Sequence, residues 1–333
     1  MRAVIHGDDF TLLGDKENLM WFRSQVSKRF EAKFRGMIGP EKNDSKEITI
    51  LNRTVRWTAR GIEYEADKRH VEIALQQVGI ESEGKAVSSP LAAKEELADE
   101  PLSQDMASRF RAIVARLNYL AQDRIDIQFA VKEMCRFMSA PKVEHWSQLK
   151  RLARYLKGCP RVKCLFGYQA MPKESVLWTD SNYAGCHVTR KSTSGGVLMF
   201  GTHCIKSWSV TQSVISLSSG EAEYYAMVKG ASVALGFKSI LKEVGVDVMI
   251  ELKCDASAAV GIVMRKGLGR VRHIDVTQLW LQEKVAEKKI RITRVKSVEN
   301  VSDGLTKGIS GPEVMWMMGE VGQEITKDQR EDK

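Results

Sequence analysis

Four acidic residues stand where a sheet-based site would put them. Asp180 closes the apolar run Leu177-Trp178-Thr179, Asp255 closes Leu252-Lys253-Cys254, Glu223 falls in the first turns of a long helical pattern, and Asp303 opens a C-terminal helix. In open α/β sheets the carboxyl ends of the strands face the ligand crevice, so Asp180 and Asp255 are expected to converge there. Four hard oxygen donors in one place can hold two Mg²⁺ (or Mn²⁺) ions, which keep part of their water and bind through few carboxylates plus substrate phosphate. Such a pair can activate a water and stabilise the leaving oxygen of a phosphodiester. Taken singly, each acid has an ordinary alternative: strand-end Asp residues form turns, and Asp or Glu at a helix start caps it. Ser218-Ser219-Gly220-Glu221 has the spacing of a capping box. Glu223, two positions on, points about 200° away around a helix of 3.6 residues per turn. Glu221 is therefore assigned to capping and Glu223 to the site.

The elements that must position these acids follow from periodicity. From about residue 172 the pattern runs strand, strand, strand, helix, strand, helix, an α/β order with a mixed sheet. The strands are expected at 176–180, 196–200, 204–209, 250–254 and 290–295, and the long helix at 219–243. Upstream, residues 1–5 and 10–13 read as a hairpin with Asp8 and Asp9 at its tip, followed by a helix carrying Leu19, Phe22, Val26 and Phe30. Residues 47–57 read as a strand that pairs with 62–64 across a turn at 59–61, and a short helix follows at 67–78. Glu81, Glu83, Glu95, Glu96, Asp99 and Glu100 lie in an aperiodic connector over 80–104. Three apolar helical faces come next, on Phe110/Ile113/Val114/Leu117, Ile127/Ala130/Val131/Met134 and Leu149/Leu152/Ala153/Leu156, ending near 158–160. The last twenty or so residues look frayed and charged.

At 333 residues the chain is long enough for two domains, and 43% hydrophobic with 28% charged residues places it among globular proteins rather than disordered or membrane-spanning ones. No apolar run approaches the roughly 18 residues of a spanning helix, and no secretory leader pattern opens the chain. The six cysteines show no paired spacing and no zinc-type histidine partners, which fits a reducing compartment. A net charge of +9 permits a polyanionic partner without requiring one. Lys150, Arg154, Lys157 and Arg161 share one face of the third helix of that set, with Arg151 and Lys163 nearby, and could follow a phosphate backbone or simply be solvated. Arg190 and Lys191, near Asp180, could touch the same backbone. Trp178 and Trp208 are expected in the core.

The motifs themselves resemble one family. Thr179-Asp180-Ser181-Asn182-Tyr183-Ala184-Gly185 with Arg190-Lys191-Ser192-Thr193-Ser194-Gly195, then Ser218-Ser219-Gly220-Glu221-Ala222-Glu223-Tyr224, Cys254-Asp255-Ala256-Ser257-Ala258, Arg272-His273-Ile274-Asp275, and Glu299-Asn300 through Asp303 to Leu305-Thr306-Lys307 resemble, in order, the ribonuclease H domain of copia-type LTR retrotransposon Pol polyproteins. Asn118-Tyr119-Leu120, Asp123-Arg124-Ile125-Asp126-Ile127 and Arg154-Tyr155-Leu156-Lys157-Gly158 are similar to the helical segment upstream of that domain. Gly7-Asp8-Asp9 resembles the paired aspartates of the reverse-transcriptase palm, with His6-Gly7 departing from the commoner tyrosine-valine. Two further departures are Leu279-Trp280, where the family often carries a histidine, and Lys296, where a histidine commonly precedes the final Glu-Asn.

The resemblance implies a ribonuclease H-like α/β fold with a mixed five-stranded sheet, preceded by a truncated palm remnant and a small helical subdomain. It divides the chain into 1–80 (the C-terminal part of the palm), 81–104 (connector), 105–165 (helical thumb- or connection-like segment), 172–310 (ribonuclease H) and 311–333 (tail). The implied activity is metal-dependent cleavage of the RNA strand of RNA–DNA hybrids, with Asp180, Glu223, Asp255 and Asp303 as ligands of two ions. Polymerisation is not expected, since the fingers and the earlier palm aspartate have no counterpart in the sequence. The implied partners are the hybrid and the upstream reverse-transcriptase and integrase parts of a polyprotein, in an intracellular setting of cytoplasm and nucleus. Two alternatives stay open: a silent nucleic-acid-binding remnant, and a nuclease of the same fold acting on another substrate.

Overall fold

The computed structural model describes residues 1–80, 84–91, 100–269 and 271–326. The connector acids Glu81, Glu83, Glu95, Glu96 and Asp99 and the terminal residues 327–333 lie outside that set. The chain opens with the expected hairpin, β1 (Arg2–His6) against β2 (Asp9–Leu13), joined by Gly7 in the left-handed region at φ 61°. Helix α1 (Lys16–Ser27) lays Phe22 against Phe10, with ring centroids 6.3 Å apart. Next come β3 (Glu47–Ile50), β4 (Arg53–Thr58), β5 (Gly61–Glu65) and α2 (Arg69–Val78). The expected single strand over 47–57 is thus two strands. Leu51 and Asn52, at φ 48° and 65°, turn the chain between them, as in the tight hairpin turns that need two left-handed residues.

Helices α3 (Gln104–Leu120), α4 (Ile125–Cys135) and α5 (Val143–Gly158) follow, with Ser103 capping α3 through Met106 N–H. Residues 162–165, expected within the helical segment, instead begin strand β6 (Val162–Gly167), which pairs with β5 a hundred residues earlier. Arg161 therefore leaves the basic helix face and holds Glu65 at 2.6 Å, while Lys163 holds Glu63 at 2.8 Å. Such long-range partners leave no trace in local periodicity.

The third part contains β7 (Glu174–Asn182), β8 (Thr193–Phe200), β9 (His203–Thr211), α6 (Ser219–Glu243), β10 (Met249–Cys254), α7 (Ser257–Met264), α8 (Trp280–Ala286) and β11 (Ile290–Arg294). This is the predicted mixed sheet, in the order β11-β10-β7-β8-β9, with β10 parallel to both neighbours and β7, β8 and β9 antiparallel. Successive residues on β8 serve opposite faces, as the pleat requires. Leu198 joins Tyr224, Met227 and Ala231 of α6, whereas Val197 and Met199 join the core of α3, α4 and α5.

The frayed C-terminal tail is not observed over residues 311–325. α9 (Gly311–Glu320) buries Val314, Met317 and Met318, and β12 (Gln323–Ile325) adds to β6, completing a second sheet ordered β12-β6-β5-β4-β3. Ser310 and Glu313 form a capping box with Pro312 in the first turn, the start signal that the charged composition of the last residues masked. Asp303 opens a one-turn 3₁₀ segment, Asp303–Leu305, rather than an α-helix.

Candidate active site

Parallel pairing brings the acid-bearing strand ends to one edge. Lys253 of β10 lies level with Trp178 of β7, so continuing the register sets Asp255 beside Asp180. Glu223 enters from α6, which packs across β7, and Asp303 arrives on the loop after β11. Asp180 and Glu223 are only 6% and 7% exposed, whereas Asp255 and Asp303 are half-buried. Glu223, Cys254 and Asp255 offer ligand atoms within 4.8 Å of one another, the one such trio of potential metal ligands among the described residues.

Burial, reinforced by the Asp180 and Asp255 charges, pushes the Glu223 carboxyl up to about 9. Burial also raises Asp180 to about 6, against a hydrogen bond from the Thr306 hydroxyl and with Asp303 and Asp255 adding like charge. A desolvated set of like charges is unfavourable unless a cation joins it. Lys307 supplies one such cation, its Nζ lying 2.7 Å from Asp303 Oδ1.

Polar side chains fix the geometry. Ser181 N–H donates to Glu223 Oε1 at 3.1 Å. Asn300, fully buried, donates to the Thr179 carbonyl at 3.0 Å and accepts from Ser302, locking the Asp303 loop onto β7. Asn182 donates to the Thr306 carbonyl at 2.7 Å and accepts from Thr193 N–H. Gln212 donates to Ser194, Ser181 and the Ala222 carbonyl. In the sequence Asn182, Asn300 and Thr306 stand out only as members of motifs, and Gln212 carries no such mark. Amides in apolar surroundings beside strand ends were the available signal, because buried amides must be satisfied.

The other sequence-predicted residues do not join the cluster. Ser218 accepts from Glu221 N–H as a cap, and the Glu221 carboxylate takes Leu217 N–H at 2.9 Å and faces His273 at 2.7 Å. Asp8 and Asp9 stay at the hairpin tip, where Arg35 approaches Asp9 at 3.7 Å. Lys150 is exposed, Lys157 is half-buried, and Arg154 donates to the Lys85 carbonyl at 2.8 Å. Arg190 is exposed and Lys191 half-buried on the loop between β7 and β8. Trp208 is buried and Trp178 half-buried under Lys253, as a core reading expects.

Comparison with known proteins bears on family. No family model matches the chain. The retrovirus-related Pol polyprotein from transposon TNT 1-94 of Nicotiana tabacum is 27% identical over 319 residues, 91% of this chain and 23% of that protein. The Pol polyprotein from transposon RE1 of Arabidopsis thaliana is 30% identical over 206 residues, 61% of this chain and 14% of that protein. An uncharacterized mitochondrial protein of A. thaliana is 30% identical over 238 residues, and the chain covers 92% of it. The chain belongs to the retrovirus-related transposon Pol family. It spans a quarter or less of the Pol polyproteins it matches. Among solved structures, LC11-RNase H1 in complex with an RNA/DNA hybrid is similar to this Pol chain at 17% identity and TM-score 0.30, covering 40% of this chain and 94% of that one. The foamy viral protease-reverse transcriptase with an RNA/DNA hybrid is similar at 12% identity and TM-score 0.41, covering 76% of this chain and 29% of that one. Among the described residues no helix is long and apolar enough to cross a membrane.

Proposed function

We propose that this Pol-family chain is a ribonuclease H-type endonuclease that hydrolyses the RNA strand of RNA–DNA hybrids, with residues 172–310 supplying its chemistry. The observation that supports the reading is the closeness of Glu223 and Asp255, with ligand atoms within 4.8 Å of each other and of Cys254, on the edge where the strand register brings Asp180 and where the Thr306 hydroxyl bridges Asp180 to the Asp303 carbonyl. The donor set fits Mg²⁺ or Mn²⁺: carboxylate oxygens are the hard ligands such ions take, and a cation offsets the burial and, secondarily, the like-charge repulsion that raise Asp180 and Glu223. These four acids would hold two ions, which when bound supply an activated water and neutralise the leaving oxygen.

The chain's own residues do the rest. Thr306 orients Asp180 and Ser181 N–H orients Glu223. With Oε1 taken by that N–H, Glu223 carries its proton at Oε2 near neutral pH, and that oxygen would be its ligand atom for a cation. Asn300 and Asn182 keep the Asp303 loop in register with β7. Recognition of the wide, shallow minor groove and its 2′-hydroxyls would make cleavage independent of sequence. Residues 1–80 would correspond to the part of a palm that carries Asp8 and Asp9, with 105–165 as the helical connection. Lys150, Arg154 and Lys157 would be auxiliary contacts.

One contact favours the alternative of a silent nucleic-acid binder: Lys307 already neutralises Asp303, and Leu279 and Lys296 stand where family histidines would. The full chain incubated with labelled RNA–DNA hybrid, single-stranded RNA and duplex DNA, in Mg²⁺ or EDTA, beside Asp180→Asn, separates the readings. Cleavage of the hybrid alone, lost in EDTA and in the variant, supports the nuclease. Hybrid binding without cleavage supports the silent binder.

A further inference from the structure

Two loops border the acid cluster with an apolar rim that the chemistry above does not use. On the β7–β8 loop Tyr183 is 47% exposed, and on the β9–α6 loop Ile215 and Leu217 are 52% and 65% exposed. Tyr183 Oη donates to the Leu217 carbonyl at 3.2 Å, so the loops form one continuous lip. The lip is not free to drift. Gln212, at its base, is buried and bonded to Ser181, the neighbour of Asp180, and to the carbonyl of Ala222, the neighbour of Glu223. Ser216 donates to Gln212 Oε1 at 3.0 Å, and Leu217 N–H is held by Glu221 at 2.9 Å. Its distance from the carboxylates is thereby set by buried polar contacts.

Charge indicates the occupant. Residues 181–220 contain no Asp or Glu but include Arg190, Lys191 and Lys206. Within that stretch the two loops beside the acids carry no carboxylate of their own, and Glu221, which touches them, is buried against Leu217 N–H and His273, so the exposed border is open to a polyanion. Apolar groups within such a border suit the uncharged parts of that polyanion, its sugars and bases, because aromatic and aliphatic contact with them is indifferent to sequence.

We propose that the Tyr183–Ile215–Leu217 lip is a nucleic-acid contact that grips sugar and base surface beside the cut site, while Arg190 carries the phosphate contact. The proposal rests on the nucleic-acid reading above, and the test separates the two. Binding of a labelled RNA–DNA hybrid by the full chain is followed by anisotropy in EDTA across a salt series, for wild type, Tyr183→Phe, Tyr183→Ala, Leu217→Ser and Arg190→Ala, with circular dichroism confirming the fold of each. Tyr183→Ala weakens binding about tenfold by the usual worth of a lost stacking contact, and Leu217→Ser weakens it in the same direction through lost apolar burial, both with the salt slope unchanged. Tyr183→Phe, which keeps the ring, stays close to wild type. Arg190→Ala lowers the slope by about one, as for a lost phosphate contact. Unchanged affinity in a folded Tyr183→Ala/Leu217→Ser double variant overturns the lip. So does self-association of the wild type that Leu217→Ser abolishes while hybrid binding is kept. A hybrid that is bound through the lip but not cut in Mg²⁺ sinks the nuclease reading and leaves the lip in place.

Discussion

At the scale of single residues, Glu223 couples stability to pH. Folded, its carboxyl holds a proton to about pH 9 instead of the ordinary 4.5, so between those values the folded chain binds more protons than the unfolded one. Stability then falls as pH rises, being fully present below the unfolded value and lost through the folded one. Glu223→Gln, neutral throughout, is expected to flatten the metal-free profile and raise Tm by several degrees at pH 8, and on the proposed nuclease reading to abolish cleavage. Thermal unfolding in EDTA from pH 5 to 9 checks it, and parallel wild-type and variant profiles would rule it out. Asp180, raised to about 6, adds the same sign over a lower window. Lys307 acts oppositely, since its ammonium already neutralises Asp303. Lys307→Ala is expected to tighten Mg²⁺ or Mn²⁺ binding several-fold by titration calorimetry, and weaker binding would show that the lysine positions the acid rather than competing with the ion.

At the scale of elements, the Asp303 loop depends on how closely it meets β8. A Cβ on Gly195 would lie 2.8 Å from Thr306 Cγ2 and 2.9 Å from the Ser302 carbonyl oxygen, so Gly195→Ala pushes away the loop that orients Asp180 and carries Asp303. Overpacking of this kind costs about 1–3 kcal/mol. Metal affinity is expected to drop at least tenfold in a chain that remains folded, and an unshifted titration would mean that the loop does not place the fourth acid. Legibility in the sequence also divides by element. α6 was readable end to end because Ser218 caps it and small and apolar residues sustain its length. The strands that lead to Asp180 and Asp255 were readable from their apolar residues, although β7 runs two residues past Asp180 to Asn182. The break at Leu51–Asn52 was not, since a left-handed turn made without glycine looks like continuing strand. β6 was hidden because its partners are a hundred residues away in sequence. The four candidate acids stand out in the sequence by type and motif. The amides that hold them do not, because an Asn or Gln declares its role only through partners distant in sequence.

At the scale of the molecule, the sequence suggested separable units, and the core joins them. Val197 and Met199 of β8, Val301 and Leu305 near the site, and Val314, Met317 and Met318 of α9 share one buried cluster with Phe110, Ile113, Met134 and Leu152 of the helical segment. α4 lies along β9, where Gln128 donates to Ser207 at 2.9 Å, and Lys132 reaches Thr193 at the mouth of the site. The buried Arg124–Asp126 pair, at 2.6 Å and joined by Tyr155, ties α4 to α5, and neighbouring Asp123 accepts from Arg53 and Tyr64 of the second sheet. Residues 172–310 alone would therefore expose one face of their sheet to water, at about 25 cal/mol for each Å² of apolar surface left uncovered. Cut out as a fragment, they are expected to unfold over a broad transition and to bind a hydrophobic dye. Residues 47–326, which keep the second sheet together with α2, α3, α4, α5 and α9, are expected to unfold in a single cooperative step and to retain metal binding. Calorimetry and dye binding on the two fragments decide the matter. A sharp, dye-free transition for 172–310 would show that the helical segment covers a face already stable without it, and that the acid cluster needs only its own sheet and α6 to form.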